Sequence, residues 1–300
     1  MREVDVLIIG QGPAGLSAAI YTARAGMKTM VLGCAPKVAG DYDIDNYFGF
    51  DETISGRELV ERGTRQAQRF GVEVTCDRVL GVHHLGDQGR FHVRSEQGEY
   101  QAWAVILSTG VARVRPGIEN LSDYEGKGVS YCVSCDGFFF RQKQVMVLGE
   151  GNFAANQALE LLHYTPEVRI CTQGKALNMG EEFQDKLRQA GIPILEKKIV
   201  RLEGEDGLSS VRYVDDEQDN VDGLFIAMGQ AGTSDFAVSL GLVMRKQFIE
   251  ADEQQRTNIP GIFAAGDCVG RFLQISVAVG EGALAARSAI EHVKKVRPKK

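Results

Sequence analysis

A strand, a glycine-rich turn and a helix occur twice in this chain, and that repeat restricts the fold more than any other feature. Residues 4–9 form a mostly apolar, β-branched run that ends in Gly10-Gln11-Gly12-Pro13-Ala14-Gly15, and residues 16–25 then read as an alanine-rich helix. In such a turn the first glycine permits the tight bend, the second lets a pyrophosphate approach the backbone, and the third lets helix and strand pack closely. The phosphates then sit at the helix N-terminus. The second copy runs through residues 145–148, Gly149-Glu150-Gly151-Asn152-Phe153-Ala154 and a helix over 155–162, a G-x-G-x-x-A variant that still packs as a dinucleotide fold.

Between and around the copies the pattern changes from helical to alternating. Residues 72–82 and 90–94 read as strands of a β-meander, followed by a strand over 100–107 and Ser108-Thr109-Gly110. Ser55 caps a predicted helix over 56–70, and a polar loop, Asp45-Asn46-Tyr47-Phe48-Gly49, precedes it, open to either a turn or a cofactor-contacting role. Further strands are predicted over 197–213 and 221–228. The whole predicts an α/β protein of two doubly wound Rossmann-like domains, three-layered, with β-meander insertions. Residues 1–112 and 231–300 would form one discontinuous domain and residues 113–230 a central one, with hinges near Val111 and Ala231.

The chemistry is concentrated in Tyr131-Cys132-Val133-Ser134-Cys135-Asp136-Gly137. A C-x-x-C pair opening a helical turn places both sulfurs where unpaired backbone N–H groups favour thiolate, so the pair is predicted to be redox-active. A zinc site would need four ligands, and neither a second C-x-x-C nor an H-x-x-x-H occurs. No metal site is assigned. His83, His84 and His92 are predicted to be packing or surface residues. Cys34, Cys76, Cys171 and Cys268 are scattered, have no assigned role, and read as small buried hydrophobes rather than a disulfide framework.

Composition narrows the partners. The 300 residues carry a net charge of -6, which argues against a general nucleic-acid binder, and the basic residues Lys294, Lys295, Arg297, Lys299 and Lys300 read as a solvated tail. No apolar run reaches membrane-spanning length and the N-terminus is too acidic for a signal peptide, so a cytoplasmic protein is expected.

The second glycine turn is poorly furnished for a nicotinamide dinucleotide. After the strand over 167–171 come Thr172-Gln173-Gly174-Lys175, where NADPH would need arginines for its 2′-phosphate and NADH an acidic residue. Glu150 adds a carboxylate where a pyrophosphate would sit. Tight NAD(P)H binding is therefore not expected. The first turn also lacks the usual acidic residue at the end of its second strand, which finishes in Gly33-Cys34.

The chain closes with Asn258-Ile259-Pro260-Gly261-Ile262-Phe263-Ala264-Ala265-Gly266-Asp267-Cys268, a turn, a strand and an acid at the strand end. Taken with the first glycine turn, Ser108-Thr109-Gly110 and the C-x-x-C-D-G segment, this resembles the low-molecular-weight thioredoxin reductases along almost the whole chain. The resemblance implies an FAD site drawing on Gly10, Gly12, Pro13, Ala14, Gly15, Asn46, Thr109, Gly110, Gly266, Asp267, Gln274 and Ile275. It also implies that Cys135 faces the flavin, that Cys132 attacks the partner disulfide, and that Asp136 moves the proton.

The departures matter as much. NADPH-dependent members carry His-Arg-Arg where this chain has Cys171-Thr172-Gln173, and Tyr-Arg-Gln where it has Phe272-Leu273-Gln274. Their Gly-Gly-Gln-Leu near the flavin is replaced by residues 37–42. The pattern is similar to that of the ferredoxin-dependent flavin thioredoxin reductases, which work without a pyridine nucleotide. The implied function is reduction of thioredoxin or a similar protein disulfide, with ferredoxin as electron donor, in a homodimer. Two rivals stand beside it: an NADPH-dependent reductase with an atypical pocket, and a flavin-dithiol redox sensor with Phe138-Phe139-Phe140 as its contact patch. For those three rings, core packing is the favoured placement.

Overall fold

The structure, a computed structural model, describes residues 1–34, 36–39, 43–86, 89–110, 116–131, 133–229 and 232–298, with Lys37, Ser134, Cys135 and Ser234 as backbone alone. In chain order the elements are β1 (Arg2–Ile9), α1 (Pro13–Arg24), β2 (Thr29–Leu32), β3 (Asp43–Ile44), β4 (Ile54–Ser55), α2 (Gly56–Arg69), β5 (Glu73–Thr75), β6 (Val79–His84), β7 (Phe91–Ser95) and β8 (Glu99–Leu107). Next come β9 (Val129–Ser130), α3 (Val133–Asp136), β10 (Val145–Leu148), α4 (Asn152–Leu161), β11 (Val168–Cys171), α5 (Glu181–Gln189) and β12 (Ile194–Leu195). The chain continues through β13 (Ile199–Glu203), β14 (Ser210–Tyr213), β15 (Gln218–Asn220), β16 (Gly223–Ile226), α6 (Thr233–Leu240), β17 (Met244–Arg245), β18 (Phe248–Ile249), β19 (Ile262–Ala264) and α7 (Ile275–Val296).

Two compact units result, one of Met1–Ala112 with Gly232–Lys300 and the other of Arg113–Ala231. In the first, β1 lies parallel between β2 and β8, and β5 extends the sheet beyond β2. Strand β8 has two partners on its other edge. Its first half pairs antiparallel with β7, and its last residues, Val105 to Leu107, pair parallel with β19. The meander β6-β7-β8 thus branches from the parallel sheet rather than standing apart. Residues 72–82, read from sequence as meander, divide between β5 in the parallel sheet and β6 in the meander.

The second unit holds an all-parallel sheet in the order β12-β11-β10-β16-β9 and a separate antiparallel sheet β13-β14-β15. Strand β10, Val-Met-Val-Leu, is wholly buried, as expected of a central parallel strand with both faces covered. Each such side chain contributes about 1.5–3 kcal/mol of hydrophobic stabilisation. The histidines of the meander are surface or partly buried residues. His84 packs edge-on against Phe91, and burial pushes the His83 pKa down.

Two expectations are corrected here. Cys34 and Cys76 are joined in a disulfide, with their Cα atoms 4.5 Å apart, rather than lying as separate hydrophobes. Their strands are the reason: β2 and β5 are parallel neighbours, and each cysteine follows the carboxyl end of its strand within two residues. Cys171 and Cys268 are buried free thiols. The three phenylalanines divide, since Phe140 is buried against Phe225 while Phe138 and Phe139 are exposed, with the Arg141 guanidinium 4.5 Å from the Phe138 ring centre.

Candidate functional site

The first glycine turn is built by close backbone contact. Gly10 has φ +119°, and a Cβ there would stand 2.2 Å from the Ser108 carbonyl oxygen. A Cβ on Gly15 would stand 2.0 Å from the Gly10 carbonyl oxygen. Only glycine fits either place. Gly12 differs, because the nearest atom to its absent Cβ is Pro36 Cβ, 3.9 Å away, so its face is open. Helix α1 begins directly at Pro13, with no side-chain cap on its first N–H groups and no acidic residue in its first turn. That leaves donors and a favourable dipole for an anionic phosphate.

The closing segment converges on the same turn. Gly266 has φ +81° with Ala14 Cβ 2.9 Å from its Cβ position, and a Cβ on Gly282 of α7 would meet the Ala14 carbonyl oxygen at 2.1 Å. Ser108 Oγ donates to the Ile9 and Gly10 carbonyls at 3.0 and 3.1 Å. Thr109 Oγ1 and Thr233 Oγ1 are 2.7 Å apart, and the Thr233 hydroxyl donates to the Gly110 carbonyl. Asn46 Nδ2 donates to Gln274 Oε1 at 3.1 Å, joining the polar loop to the residue before Ile275, where α7 begins. The open glycine face and the uncapped helix start fit the diphosphate of a dinucleotide such as FAD.

Sequence reasoning missed Thr233 and Glu281. Glu281 is buried on α7, its Oε2 accepts from the Gly266 N–H at 2.7 Å, and Arg271 lies 3.5 Å from Oε1. Burial pushes its carboxyl pKa up. The α7 pattern gave no sign of it, because a glutamate within an alanine-rich helix reads as a solvent-facing residue. Cys268 is fully buried, and desolvation holds its thiol up to about 12, so it is inert at neutral pH.

The second glycine turn has the same scaffold and a different surface. A Cβ on Gly149 would stand 2.2 Å from the Ala227 carbonyl oxygen, so the bend is as tight as the first. The chain itself then crosses the turn. Asn178 N–H donates to the Glu150 carbonyl at 2.8 Å, Gly151 and Asn178 form a β-bridge, and Gly180 N–H donates to Asn152 Oδ1 at 2.7 Å. The Glu150 side chain pairs with Lys175 at 2.7 Å, while its Oε2 is buried with no hydrogen-bond partner among the described residues. Gln173, where the family's arginines would stand, is buried. Its Nε2 donates to the carbonyls of Pro116 and Ile199, and its Oε1 accepts from the Ile199 N–H. Thr172 is buried beside it, and the Cys171 thiol donates to the Lys197 carbonyl.

Around the C-x-x-C, α3 begins at Val133 and carries Cys135, whose backbone alone is described; Cys132 lies outside the described residues. Asp136 accepts from Ser130 Oγ at 2.6 Å. A Cβ on Gly137 would run into the Tyr164 ring at 2.6 Å, which fixes how closely the segment packs on the chain after α4. Residues 40–42 of the loop that replaces Gly-Gly-Gln-Leu, and the hinge candidates Val111 and Ala231, also fall outside the described residues. Among the described residues there is no group of three or more metal-ligating side chains and no helix long and apolar enough to cross a membrane.

Two dinucleotide folds in one chain, with a C-x-x-C in the second, define a flavin disulfide oxidoreductase. The family model of the pyridine nucleotide-disulphide oxidoreductases matches residues 4–282, and the chain belongs to that family. Within it the chain is a thioredoxin reductase-like flavoprotein. It is 33% identical to a thioredoxin reductase of Listeria innocua, over 98% of this chain and 95% of that one. The structure superposes on an atypical thioredoxin reductase, TRi, of Desulfovibrio vulgaris Hildenborough with a TM-score of 0.96 at 64% identity, covering all of both chains. It also matches a ferredoxin-flavin thioredoxin reductase of Clostridium acetobutylicum with a TM-score of 0.74 at 27% identity, over 98% of this chain and 99% of that one.

Proposed function

We propose that this protein reduces the disulfide of thioredoxin or a similar small protein through Cys132 and Cys135, with electrons from a reduced iron–sulfur protein of the ferredoxin class rather than from NADPH. The observation that carries the donor reading is the second glycine turn. Its helix start is crossed by residues 178–180, its carboxylate Glu150 engages Lys175, and Gln173 spends its amide on the backbone of Pro116 and Ile199. Within the Cys171-Thr172-Gln173 triplet the thiol and the amide are engaged by backbone groups and Thr172 is fully buried, its Oγ1 without a hydrogen-bond partner among the described residues, so none presents a cation to a 2′-phosphate. The resemblance to the ferredoxin-flavin enzyme supports the same donor, and the resemblance to an atypical thioredoxin reductase supports a departure from the usual one.

Flavin, when bound, supplies the exchange between single electrons and electron pairs. The residues of this chain supply the rest. Gly10, Gly12 and Gly15 hold the dinucleotide at the start of α1, and Asn46 and Gln274 brace the loop and helix near its far end. Cys132 is the attacking thiolate and forms the mixed disulfide with the partner; Cys135 resolves it and closes the Cys132–Cys135 bond. Asp136, oriented by Ser130, holds the proton that the departing partner thiolate takes up. Exposed Phe138 and Phe139, three and four residues beyond Cys135, give the protein substrate an apolar contact. The working assembly in this reading is a homodimer.

The test is thioredoxin reduction by the Cys132→Ser variant, supplied with reduced ferredoxin. Turnover is expected to fall to background while the flavin absorbance band is retained. Undiminished turnover would overturn the assignment of the nucleophile.

A further inference from the structure

We infer that the Cys34–Cys76 disulfide is a redox-breakable clamp on the adenosine-diphosphate half of FAD. It rests on the family's flavin and is independent of which donor reduces it. The first dinucleotide turn lacks the acidic residue that a ribose hydroxyl usually meets at the end of the second strand, and Gly33-Cys34 stands there instead. Gly33 lies directly on the turn, for a Cβ there would stand 2.9 Å from the Gln11 nitrogen and 3.2 Å from Gly10 Cα. Pro36, two residues past Cys34, is the nearest neighbour of the open Gly12 face. Gly33 and Pro36, on either side of Cys34 in sequence, therefore form one wall of the site.

The disulfide fastens that wall to a rigid post. The Cys76 carbonyl accepts from Gln97 Nε2 at 3.1 Å. The next residue, Asp77, is buried and accepts from Ser95 Oγ, Tyr100 OH and the Gln97 N–H at 2.5, 3.2 and 3.2 Å. Cys76 is thus fixed to the meander, and through the S–S bond Cys34 is fixed to Cys76. Without the bond, the wall is held to β5 by the Gly33 N–H donating to the Thr75 carbonyl at 3.2 Å.

Cys34 is half-buried and Cys76 exposed, so a reductant reaches the Cys76 sulfur. A vicinal dithiol attacks there, forming a mixed disulfide and releasing the Cys34 thiolate. Its second thiol then displaces Cys76 and leaves as a disulfide, so two electrons and two protons pass to the cysteines. The opened clamp frees the wall over Gly12, and the dinucleotide is released faster.

The experiment follows FAD release from the holoprotein as a rise in flavin fluorescence after dilution, with no electron donor or protein substrate present. A Cys132→Ser/Cys135→Ser background leaves Cys34–Cys76 as the disulfide to be reduced. Treatment with a phosphine, which takes up oxygen from water as the two thiols form, is expected to speed release about tenfold, within the usual range for coupled sites. Reoxidation with diamide is expected to restore the slow rate. Cys34→Ala/Cys76→Ala in the same background is expected to release fast with or without phosphine. An unchanged rate in phosphine-treated protein, with both thiols verified by mass labelling, would overturn the clamp. If the double alanine variant fails to fold, the phosphine and diamide arms decide alone. Because the readout is cofactor release, failure here leaves the proposed reaction standing, and failure of that reaction leaves the clamp standing.

Discussion

The two glycine turns share a scaffold and differ in what lies over it. Both bends are too tight for a side chain, with absent Cβ positions 2.2 Å from a carbonyl oxygen at Gly10 and at Gly149. Beyond that they diverge. The first leaves Gly12 facing open space and collects Ser108, Gly266 and α7 around it; the second is crossed by residues 178–180 and faced with a carboxylate. The turn motif therefore reports how strand and helix pack, and what lies over the turn reports whether a ligand fits there.

Substitutions at matched places sharpen that contrast. The largest effect is expected at Gln173. Gln173→Ala strands three buried backbone groups of Pro116 and Ile199, and a chemical denaturation curve should show a loss of about 3 kcal/mol, as for buried groups left unpaired. A loss below about 0.5 kcal/mol, the range of neutral surface changes, would mean that this side chain is not structural and restore it as a candidate ligand contact.

Gly12→Ala and Gly151→Ala form the next pair. The methyl on Gly12 meets nothing nearer than 3.9 Å in the protein, so the apoprotein should melt as the wild type does, while its FAD affinity falls about tenfold or more by fluorescence titration. Gly151→Ala is expected to leave FAD affinity unchanged. Equal FAD losses in the two variants would erase the distinction between the turns.

The smallest effect concerns the buried carboxylate on the first side. Burial raises the Glu281 pKa, so ionising it costs the folded state more than the unfolded chain. Its contribution is complete below the ordinary carboxylate range and is lost as pH rises through the raised value. Glu281→Gln keeps an acceptor for the Gly266 N–H and does not ionise, so its melting temperature should gain on the wild type from acid toward neutral pH. A difference that is constant with pH would show that the carboxyl is not the titrating group.

Much of the fold was legible because periodicity and glycine turns are local signals. The two strand-turn-helix units, the meander, the helix capped by Ser55 and the closing strand all rest on residues near in sequence, and Ser55 does accept from the Glu58 N–H. What was hidden depends on pairing between distant strands. The Cys34–Cys76 bond spans 42 residues and exists because β2 and β5 lie side by side, which spacing alone does not reveal. In the sequence Gln173 stands out only as a missing arginine, yet at φ +58° its buried side chain satisfies a strand 26 residues later. At the site, glycine positions were legible, whereas Thr233 and Glu281 were not, since each acts through a partner far along the chain. The exposure of Phe138 and Phe139 runs against the expectation of core packing, which rested on how rarely soluble chains expose apolar patches.

The most direct test of the account is an anaerobic absorbance titration of the flavin band with NADPH, then NADH, then reduced ferredoxin. Bleaching by ferredoxin, with none from either nicotinamide at micromolar concentration, is the predicted result and follows from the crossed second turn. Prompt bleaching by NADPH would contradict it and make the chain an NADPH-dependent reductase with an unfamiliar pocket.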